Sequence, residues 1–493
     1  MEHLKPNSAN SPPLTPLGLL DRAATLYGDC TSIICNHITF TWSETHRRCL
    51  QLASSLSSLG IRRGDIVSVV APNIPAVYEL QFAVPFTGAV LNNINYFLHD
   101  AHALTVILRQ AKPKLVFVDC ASSSQVLKAI SKLPPETPRP ILVHITDDSV
   151  EPKSSDGFSH TYEGLVASGD PNFQWIRPNS EWDPMTLTYT MVAPGTSKGV
   201  VHCHRGIFTT TVNFLIEWAV PKKPVFLWST LYKNDDICWS FPWGIAAVGG
   251  TNICVRRINS SDVYSLIKSH GVTHMCAEPE TLNMIITNSQ KTERLKMPVQ
   301  VLTAGAAAEK LPQEAVLRRA EELGFVVSYG YGSIETGGLV ISCTWNSEQE
   351  ARLGTRTIGL AEMDVVDPDT GKSLERDGLT QGKVVFRGNS LMLGYLKDMD
   401  KSDRFFKDGW LHIGEDGRMQ PGGLLQISDQ LKDVTRAKMM IGSGPERRNV
   451  FGLMKTRRSY TLGMQGMMPT RSHLNIKMFP KFTSGSSILC IRL

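Results

Sequence analysis

The sequence predicts an α/β protein with a mostly parallel sheet covered by helices on both faces, followed by a small antiparallel β unit. Strand-like and helical segments alternate repeatedly through the body of the 493-residue chain. Apolar runs of strand length are bounded by Gly and Pro turns. After Thr336 the runs become shorter and are separated by Gly, Asp and Pro, as in an antiparallel sheet or barrel.

The first clear helix is predicted at Ser43–Leu59, with Ser43 as N-cap, an apolar stripe, and Gly60 ending it. Two further helices are predicted at Val263–His270 and Pro312–Leu323. The predicted strands of the α/β part are Ile66–Val70, Leu115–Val118, Ile141–Ile145, Met185–Tyr189, Val225–Trp228, Val272–Cys276, Val299–Leu302 and Phe325–Val327. Those of the antiparallel part are Met363–Val366, Lys383–Arg387 and Leu424–Ile427.

Composition is that of a soluble globular protein, with 42% hydrophobic and 20% charged residues. The net charge of +5 is unevenly placed. Residues 434–493 hold eleven Lys or Arg against one acidic residue, while residues 1–433 hold 40 basic against 45 acidic ones. The mildly acidic body gives no electrostatic footprint for nucleic acid, so no nucleic-acid partner is expected.

Targeting and metal signals are weak. No apolar stretch is long enough to span a bilayer, and the N-terminus lacks the apolar region of a secretory signal. Ten cysteines include no CxxC pair, which favours a reducing compartment. The cluster His202-Cys203-His204 is interpreted as a loop or helix start, not a metal site.

The segment Thr186-Leu-Thr-Tyr-Thr-Met-Val-Ala-Pro-Gly-Thr-Ser-Lys-Gly-Val-Val-His carries the first chemical signal. A strand runs into a turn of small residues, then Lys198 and Gly199. Backbone N–H groups, hydroxyls and one Lys can cradle phosphate in such a loop. It does not match GxxxxGK[ST], which excludes the P-loop NTPases.

Four more segments follow in order: Thr303-Ala-Gly-Ala, Tyr329-Gly-Tyr-Gly-Ser-Ile-Glu-Thr, Asp408-Gly-Trp-Leu-His-Ile-Gly-Glu-Asp-Gly and Asp429-Gln-Leu-Lys-Asp. Together with the loop, their order and spacing over residues 10–433 resemble the nucleotide motifs of the adenylate-forming superfamily. Trp42-Ser-Glu-Thr-His-Arg-Arg-Cys-Leu, Gly199-Val-Val-His-Cys-His-Arg-Gly and Met392-Leu-Gly-Tyr-Leu-Lys-Asp are similar to plant acyl-activating enzymes, which include short-chain fatty acid and benzoate CoA ligases.

The resemblance implies a large domain of two parallel-sheet α/β subdomains plus a small antiparallel β subdomain. It also implies an acid–CoA ligase of fatty acid and lipid metabolism, with ATP, magnesium and CoA as cofactors and a small carboxylic acid as substrate. The acid attacks the α-phosphate of ATP, giving an acyl-adenylate and pyrophosphate, and the CoA thiol then displaces AMP. The acyl pocket is expected between Tyr232–Trp243 and the strands before Gly305 and Tyr331.

The resemblance also implies the site residues. Lys198 and Glu335 are the expected catalytic residues, and Glu335 also binds magnesium. Asp433 is expected at the hinge. The expected ATP and AMP contacts are Thr190, Thr196, Ser197, Lys198, Gly305, Ala306, Gly330, Tyr331, Gly332, Ile334, Glu415 and Gln430.

Several of these positions depart from the family pattern. Met191, Val192 and Pro194 replace small or hydroxyl residues of the loop, and Ile334 stands where a threonine is expected. Glu415 replaces an aspartate, and Gln430 replaces an arginine. These departures leave open an alternative, a catalytically inactive adenylation-fold protein that binds a ligand or a partner.

The expected domains are residues 1–353 for the α/β subdomains, 354–433 for the β subdomain and hinge, and 434–493 for a basic, poorly ordered tail. The family's small C-terminal α+β domain is not recognisable in that tail. The tail leaves open binding to nucleic acid or an anionic membrane. The cytosol is the expected location, with the peroxisome as alternative because Cys490-Ile-Arg-Leu faintly resembles a Ser-Lys-Leu signal.

Overall fold

The structure is a computed structural model. It describes residues 5–94, 100–146, 157–190, 197–229, 241–256, 259–287, 294–304, 314–345, 355–356 and 361–428. The chain divides into two compact units, Met1–Lys432 and Asp433–Leu493. All described residues belong to the first unit. Within them, no helix is long and apolar enough to cross a membrane.

The bounds of the elements are as follows. The helices are α1 Gly18–Tyr27, α2 Trp42–Ser58, α3 Pro75–Ala83, α4 Ala101–Ala111, α5 Ser123–Ser131, α6 Tyr162–Ser168, α7 His204–Glu217, α8 Phe241–Val248, α9 Ser260–His270, α10 Pro279–Thr287, α11 Glu314–Glu322 and α12 Met399–Phe405. The strands up to residue 203 are β1 Thr31–Cys35, β2 Ile38–Thr41, β3 Ile66–Val70, β4 Val90–Asn93, β5 Leu115–Asp119, β6 Ile141–Ile145, β7 His160–Thr161, β8 Pro184–Tyr189 and β9 Gly199–Cys203. The later strands are β10 Val225–Trp228, β11 Thr251–Cys254, β12 His274–Cys276, β13 Val299–Ala304, β14 Phe325–Ser333, β15 Gly338–Thr344, β16 Thr355–Arg356, β17 Ala361–Val366, β18 Gln381–Gly388, β19 Gly394–Tyr395, β20 Phe406–Lys407, β21 Trp410–Met419 and β22 Leu425–Ser428.

Two large sheets form the α/β part. The first has nine strands in the order β16-β15-β14-β13-β12-β10-β11-β1-β2, with parallel pairing from β14 through β1 and antiparallel strands at both edges. The second has eight strands in the order β19-β9-β8-β4-β3-β5-β6-β7, parallel from β8 to β7. The predicted fold class is therefore confirmed, with two subdomain sheets of βα type.

The third sheet is small and antiparallel. It joins β17, β18, β21 and β20 in that order, with β22 paired to β21. Its apolar face shares a core with β14 and β15, in which Tyr331 and Val340 pack with Val384 and Phe386. Strand β19 lies in the same stretch of chain but pairs with β9, so it extends the eight-stranded sheet and not the small one. This exchange carries Tyr395 into the α/β part.

Fully buried aromatic rings hold the first helices against the sheets. Tyr78 and Phe82 are four residues apart on α3, so they share one face of that helix. The Tyr78 ring packs edge-on to Trp42 of α2 and to Trp228 at the end of β10, with centroid distances of 6.3 and 5.7 Å. These contacts bury large apolar areas, which is the main source of folding free energy.

Most predicted strands occur at or within two residues of their expected positions, but two helices begin earlier than predicted, and the one expected from Val263 starts at Ser260. Strands Ile66–Val70, Ile141–Ile145 and Val225–Trp228 have the expected bounds. The helix predicted at Ser43–Leu59 is α2, which begins at Trp42, and its N-cap is Thr41, not Ser43. The Thr41 hydroxyl accepts a hydrogen bond from the Glu44 N–H at 3.2 Å, and the Glu44 carboxylate accepts one from the Thr41 N–H at 2.8 Å. This reciprocal capping box outcompetes a lone serine two residues later.

Candidate functional site

The loop with the first chemical signal connects two antiparallel strands. Strands β8 and β9 pair directly, with Tyr189 opposite Gly199. The loop ends are then closed by two hydrogen bonds: the Thr190 N–H donates to the Lys198 carbonyl at 2.9 Å, and the Lys198 N–H donates to the Thr190 hydroxyl at 3.1 Å. Thr190 therefore fixes the start of the Lys198 side chain, and half-buried Ser197 lies next to it. Thr196 and the departures at residues 191–194 lie outside the described residues.

A second part of the site lies at the end of β14. Gly330 faces Ser342 of β15, and a Cβ atom at Gly330 would lie 2.7 Å from the Ile341 carbonyl oxygen. A Cβ atom at Gly332 would collide with the Gly338 carbonyl oxygen. Both glycines are thus required by the close approach of β14 to β15, whether or not they also line an adenine site. Between them, Tyr331 is mostly buried in the core shared with the small sheet.

A single 3₁₀ turn, Ile334–Thr336, follows β14 and presents Glu335. The Ile334 side chain, expected beside the α-phosphate, packs into the main hydrophobic core. Its carbonyl oxygen accepts a hydrogen bond from Nε2 of buried His202 at 2.7 Å. The turn is closed by the Thr336 hydroxyl, which accepts from the Ser333 N–H at 2.8 Å. Glu335 is therefore held between two anchored neighbours.

The structure joins the two predicted catalytic residues through a third side chain. The Tyr395 hydroxyl donates a hydrogen bond to Glu335 Oε1 at 2.9 Å. Lys198 Nζ lies 3.4 Å from the same hydroxyl oxygen. Lys198 Nζ also lies 4.6 Å from the centroid of the Tyr395 ring and 4.5 Å from that of Phe405, within the range of cation–π attraction. Lys198, Tyr395 and Glu335 are called the Lys–Tyr–Glu group below.

Tyr395 was not among the residues predicted from the sequence. It belongs to the Met392-Leu-Gly-Tyr-Leu-Lys-Asp segment, whose likeness to the plant enzymes was recognised without assigning a role to any residue. Pairing of β19 with β9 brings it next to Lys198, with Tyr395 opposite Val200. The Met392 N–H donates to the Glu335 carbonyl at 2.9 Å, which ties the same segment to the turn. The contact between Tyr395 and Lys198 depends on the pairing of two strands far apart in the sequence. The spacing of motifs along the sequence therefore does not reveal it.

Burial changes the acid–base properties of this group. It lowers the pKa of the Lys198 ammonium below its ordinary value, although the nearby Glu335 carboxylate opposes the shift. It raises the pKa of the Tyr395 hydroxyl well above 10, and the negative charge of Glu335 acts in the same direction. Tyr395 is therefore a protonated hydrogen-bond donor throughout the physiological pH range.

Glu415, predicted at a ribose, lies on a different sheet from the Lys–Tyr–Glu group. In β21, Asp416 faces Lys383 while His412 faces Val385, so Ile413, Gly414 and Glu415 form a bulge. Gly414 has a φ of 87°, which re-aims the half-buried Glu415 side chain relative to a regular strand. The neighbouring Asp416 is engaged by Lys383 Nζ at 2.9 Å. Gly305, Ala306, Gln430 and Asp433 lie outside the described residues, as does the acyl-pocket segment before Phe241.

The His202-Cys203-His204 cluster marks a helix start, as predicted from the sequence. Cys203 is the N-cap of α7, and His204 is its first residue, with Nδ1 at 2.9 Å from the Thr15 hydroxyl. The two imidazoles therefore contact different partners. Among the described residues, no group of three or more His, Cys, Asp or Glu side chains is arranged to hold a metal ion.

The fold and the comparison with known families define the class of enzyme. Residues 20–396 match the family described as AMP-binding enzyme. The chain belongs to this AMP-binding, adenylate-forming family.

Similar plant proteins identify the group of enzymes within this family. The chain is 52% identical over 449 residues to 2-methylpropanoate–CoA ligase of Humulus lupulus, covering 88% of this chain and 80% of that protein. It is 51% identical over 451 residues to probable acyl-activating enzyme 6 and to probable acyl-activating enzyme 5, peroxisomal, both of Arabidopsis thaliana, with the same coverage. These relatives confirm an ATP-dependent acid–CoA ligase by family, and nothing in them supports the alternative of an inactive protein.

Solved structures confirm the fold. The anthranilate CoA ligase AuaEII, in complex with anthranoyl-AMP, matches with a TM-score of 0.75 at 17% identity, over 86% of this chain and 79% of that one. The N-terminal domain of FACL13 from Mycobacterium tuberculosis matches with a TM-score of 0.74 at 21% identity, over 84% of this chain and 99% of that domain.

Proposed function

We propose that the chain activates a small carboxylic acid with ATP and transfers it to CoA, using Lys198 and Glu335 as its catalytic residues. The observation that carries this proposal is the Lys–Tyr–Glu group, which holds a cationic and an anionic side chain around one hydroxyl. Two elements far apart in sequence, the β8–β9 loop and the turn after β14, are brought together there. A triphosphate requires both kinds of charge: a cation for its own oxygens, and a carboxylate for an accompanying metal ion.

The donor set of Glu335 fits magnesium. Magnesium prefers carboxylate oxygens and is commonly bound through one or two of them together with substrate phosphates. The Tyr395 hydrogen bond engages Oε1 of Glu335, and a carboxylate has further lone pairs on both of its oxygens. Magnesium, when bound, neutralises phosphate charge. The absence of a three-residue metal cluster among the described residues does not conflict with such a site.

The proposed reaction has two steps. The substrate carboxylate forms a bond to the α-phosphorus of ATP. The bond from that phosphorus to the oxygen bridging the α- and β-phosphates breaks, which releases pyrophosphate. The CoA sulfur then bonds to the acyl carbon while the thiol proton is lost to solvent, and AMP leaves with the electron pair of the acyl–oxygen bond. Lys198 stabilises the negative charge that develops on the phosphate oxygens, which is the kind of interaction that dominates such transfers.

The remaining predicted residues have supporting roles in this proposal. Thr190 and Ser197 shape the loop next to Lys198. The end of β14 on the adenine side is formed by Gly330, Tyr331 and Gly332. Glu415 accepts hydrogen bonds from the ribose hydroxyls. Ile334 offers only its backbone to the nucleotide, because its side chain is in the core. Thr196, Gly305, Ala306, Gln430 and Asp433 keep the roles that the family resemblance gives them.

The experiment is acid-dependent pyrophosphate release from the purified full chain with ATP and magnesium. The acid panel begins with 2-methylpropanoate, the acid in the name of the hop relative, and extends to medium-chain and aromatic acids. Lys198→Ala and Glu335→Gln should each lower kcat/KM by about 10²–10³-fold, the usual loss when one charge-stabilising group is removed. The matched control is Lys114→Ala, an exposed lysine paired with Asp65 at 3.0 Å. Loss of activity in the control, or full activity in both site variants, would reject the assignment.

For location, we propose the cytosol, with the peroxisome as the alternative. One Arabidopsis relative carries the word peroxisomal in its name, which supports the alternative. Co-localisation of a fluorescent fusion with an organelle marker distinguishes the two.

A further inference from the structure

Tyr395 connects the two proposed catalytic side chains through one oxygen atom. A phenol has one hydrogen to donate and lone pairs with which to accept. Its hydrogen is directed at Glu335 Oε1, 2.9 Å away, because a carboxylate can only accept. The same oxygen can then accept from Lys198 Nζ at 3.4 Å. The hydrogen bond to the carboxylate is charge-assisted and therefore stronger than one between neutral groups.

The surroundings of Tyr395 fix its ring. The residue is 3% exposed, and its backbone N–H donates to the Ser402 hydroxyl of α12 at 2.9 Å. Its ring packs edge-on to Phe405, with centroids 5.3 Å apart at an angle of 84°. Pairing with Val200 sets the position of its backbone. A hydroxyl on so constrained a ring can direct a more mobile partner.

Glu335 is that partner. Its backbone is held by the Met392 N–H and by the anchored 3₁₀ turn, but a glutamate side chain has three rotatable bonds. Among the described residues, the hydrogen bond from Tyr395 orients the carboxylate before nucleotide binds. On the other side, the Tyr395 and Phe405 rings restrict Lys198 Nζ to the same location.

We propose that Tyr395 is a positioning residue for nucleotide binding: its hydroxyl presets the Glu335 carboxylate for the metal–nucleotide complex and aligns Lys198 beside it. This inference rests on the proposed function of Lys198 and Glu335. It adds to that pair an uncharged residue, Tyr395. The hydroxyl is separable from the ring. Tyr395→Phe keeps the packing against Phe405 and the aromatic face next to Lys198, and removes only the hydrogen bonds.

The test compares Tyr395→Phe with a matched substitution elsewhere in the chain. Tyr162→Phe makes the same chemical change at a fully buried tyrosine of α6, whose hydroxyl donates to Glu79 at 2.5 Å. For each full-length variant, magnesium–ATP affinity is measured by calorimetry, and KM and kcat are measured by pyrophosphate release across a magnesium titration.

We expect Tyr395→Phe to raise the Kd and KM for magnesium–ATP by about 10- to 100-fold, the usual effect of losing a hydrogen bond to a charged group. The KM for the acid should not change, and high magnesium should restore part of the activity. Adding Tyr395→Phe to Glu335→Gln should weaken binding little further, because the hydroxyl acts by orienting the Glu335 charge, which the glutamine variant has already lost. Tyr162→Phe should leave nucleotide affinity unchanged.

Each other outcome is decisive. If Tyr395→Phe and Tyr162→Phe bind magnesium–ATP equally well, the inference is overturned and Tyr395 only packs. If Tyr395→Phe loses its cooperative unfolding transition, the hydroxyl serves the fold, which also overturns the inference. A wild-type chain that binds no magnesium–ATP would instead reject the proposed function itself, and with it this inference.

Discussion

At the scale of single residues, the Glu79 carboxylate of α3 is one of the fully buried polar groups of the described fold. It has no exposed surface, and Arg48 contacts both of its oxygens, at 2.6 and 3.1 Å. Burial raises the pKa of Glu79, while Arg48 and the Tyr162 hydroxyl oppose that shift. Although burial alone would lower the pKa of Arg48, Glu79 and Glu163 raise that pKa above its ordinary value. The two side chains therefore depend on each other, because losing either one leaves the other buried without its bidentate contact.

Glu79→Gln should lower the free energy of unfolding by about 3 kcal/mol, because it leaves the largely buried Arg48 without its bidentate partner. The chain offers a matched control, since Glu163 contacts the same arginine at 2.7 Å but its side chain is 62% exposed. Glu163→Gln should cost no more than about 1 kcal/mol. Urea unfolding of both variants measures the difference. Equal losses would mean that burial of Glu79 does not determine the strength of this pair.

At the scale of elements, the start of α2 distinguishes a predicted cap from an observed one. The Thr41 hydroxyl caps the helix and the Glu44 carboxylate completes the box, whereas Ser43 is exposed within the first turn. Thr41→Ala should lower the free energy of unfolding by about 1 kcal/mol. Ser43→Ala should change it by less than about 0.5 kcal/mol. A larger effect at Ser43 than at Thr41, measured by urea unfolding, would restore the sequence-based assignment.

Sequence reasoning located elements well and their terminal residues less well. The buried strands were evident because each is an apolar run between turn residues, as at Ile66–Val70. The cap was misplaced because Thr41 and Ser43 are both good capping residues, although the spacing of Thr41 to Glu44 was the deciding signal. Gly330 and Gly332 were interpreted as nucleotide contacts alone, but their main structural requirement is the approach of β15. That requirement depends on a strand partner which spacing does not show.

At the scale of the whole molecule, family motifs predicted the two charged residues of the candidate site but not the side chain that joins them. Lys198 and Glu335 were named from the motifs, and the structure brings them to one hydroxyl. Tyr395 reaches them because β19 crosses from the stretch that builds the small sheet into the eight-stranded one. Such long-range exchange between sheets is a property of topology. A periodicity or a local motif carries no information about it.

Buried histidines give the whole fold a predictable response to acid. Burial lowers the pKa of His202, His204 and His274 to about 4 each. The pKa of a histidine in the unfolded chain is about 6.5. Between pH 6.5 and 4 the unfolded chain therefore binds more protons than the folded one. Folding stability from these three residues is therefore complete above about pH 6.5 and is lost as the pH falls towards 4. Carboxylates titrate in the same range, so a variant is needed to isolate the histidine contribution.

His202→Gln provides that variant, because the glutamine amide can still donate to the Ile334 carbonyl that Nε2 of His202 contacts at 2.7 Å. Between pH 7 and 4.5 the wild type should lose about 2–3 kcal/mol more unfolding free energy than the variant. Adding His204→Asn, whose amide can still contact the Thr15 hydroxyl, should reduce the loss by a similar further amount. Urea titrations at the two pH values measure these differences. Parallel losses in all three proteins would show that His202 is protonated as readily in the fold as in the unfolded chain, in conflict with its complete burial on β9 against the Ile334–Thr336 turn.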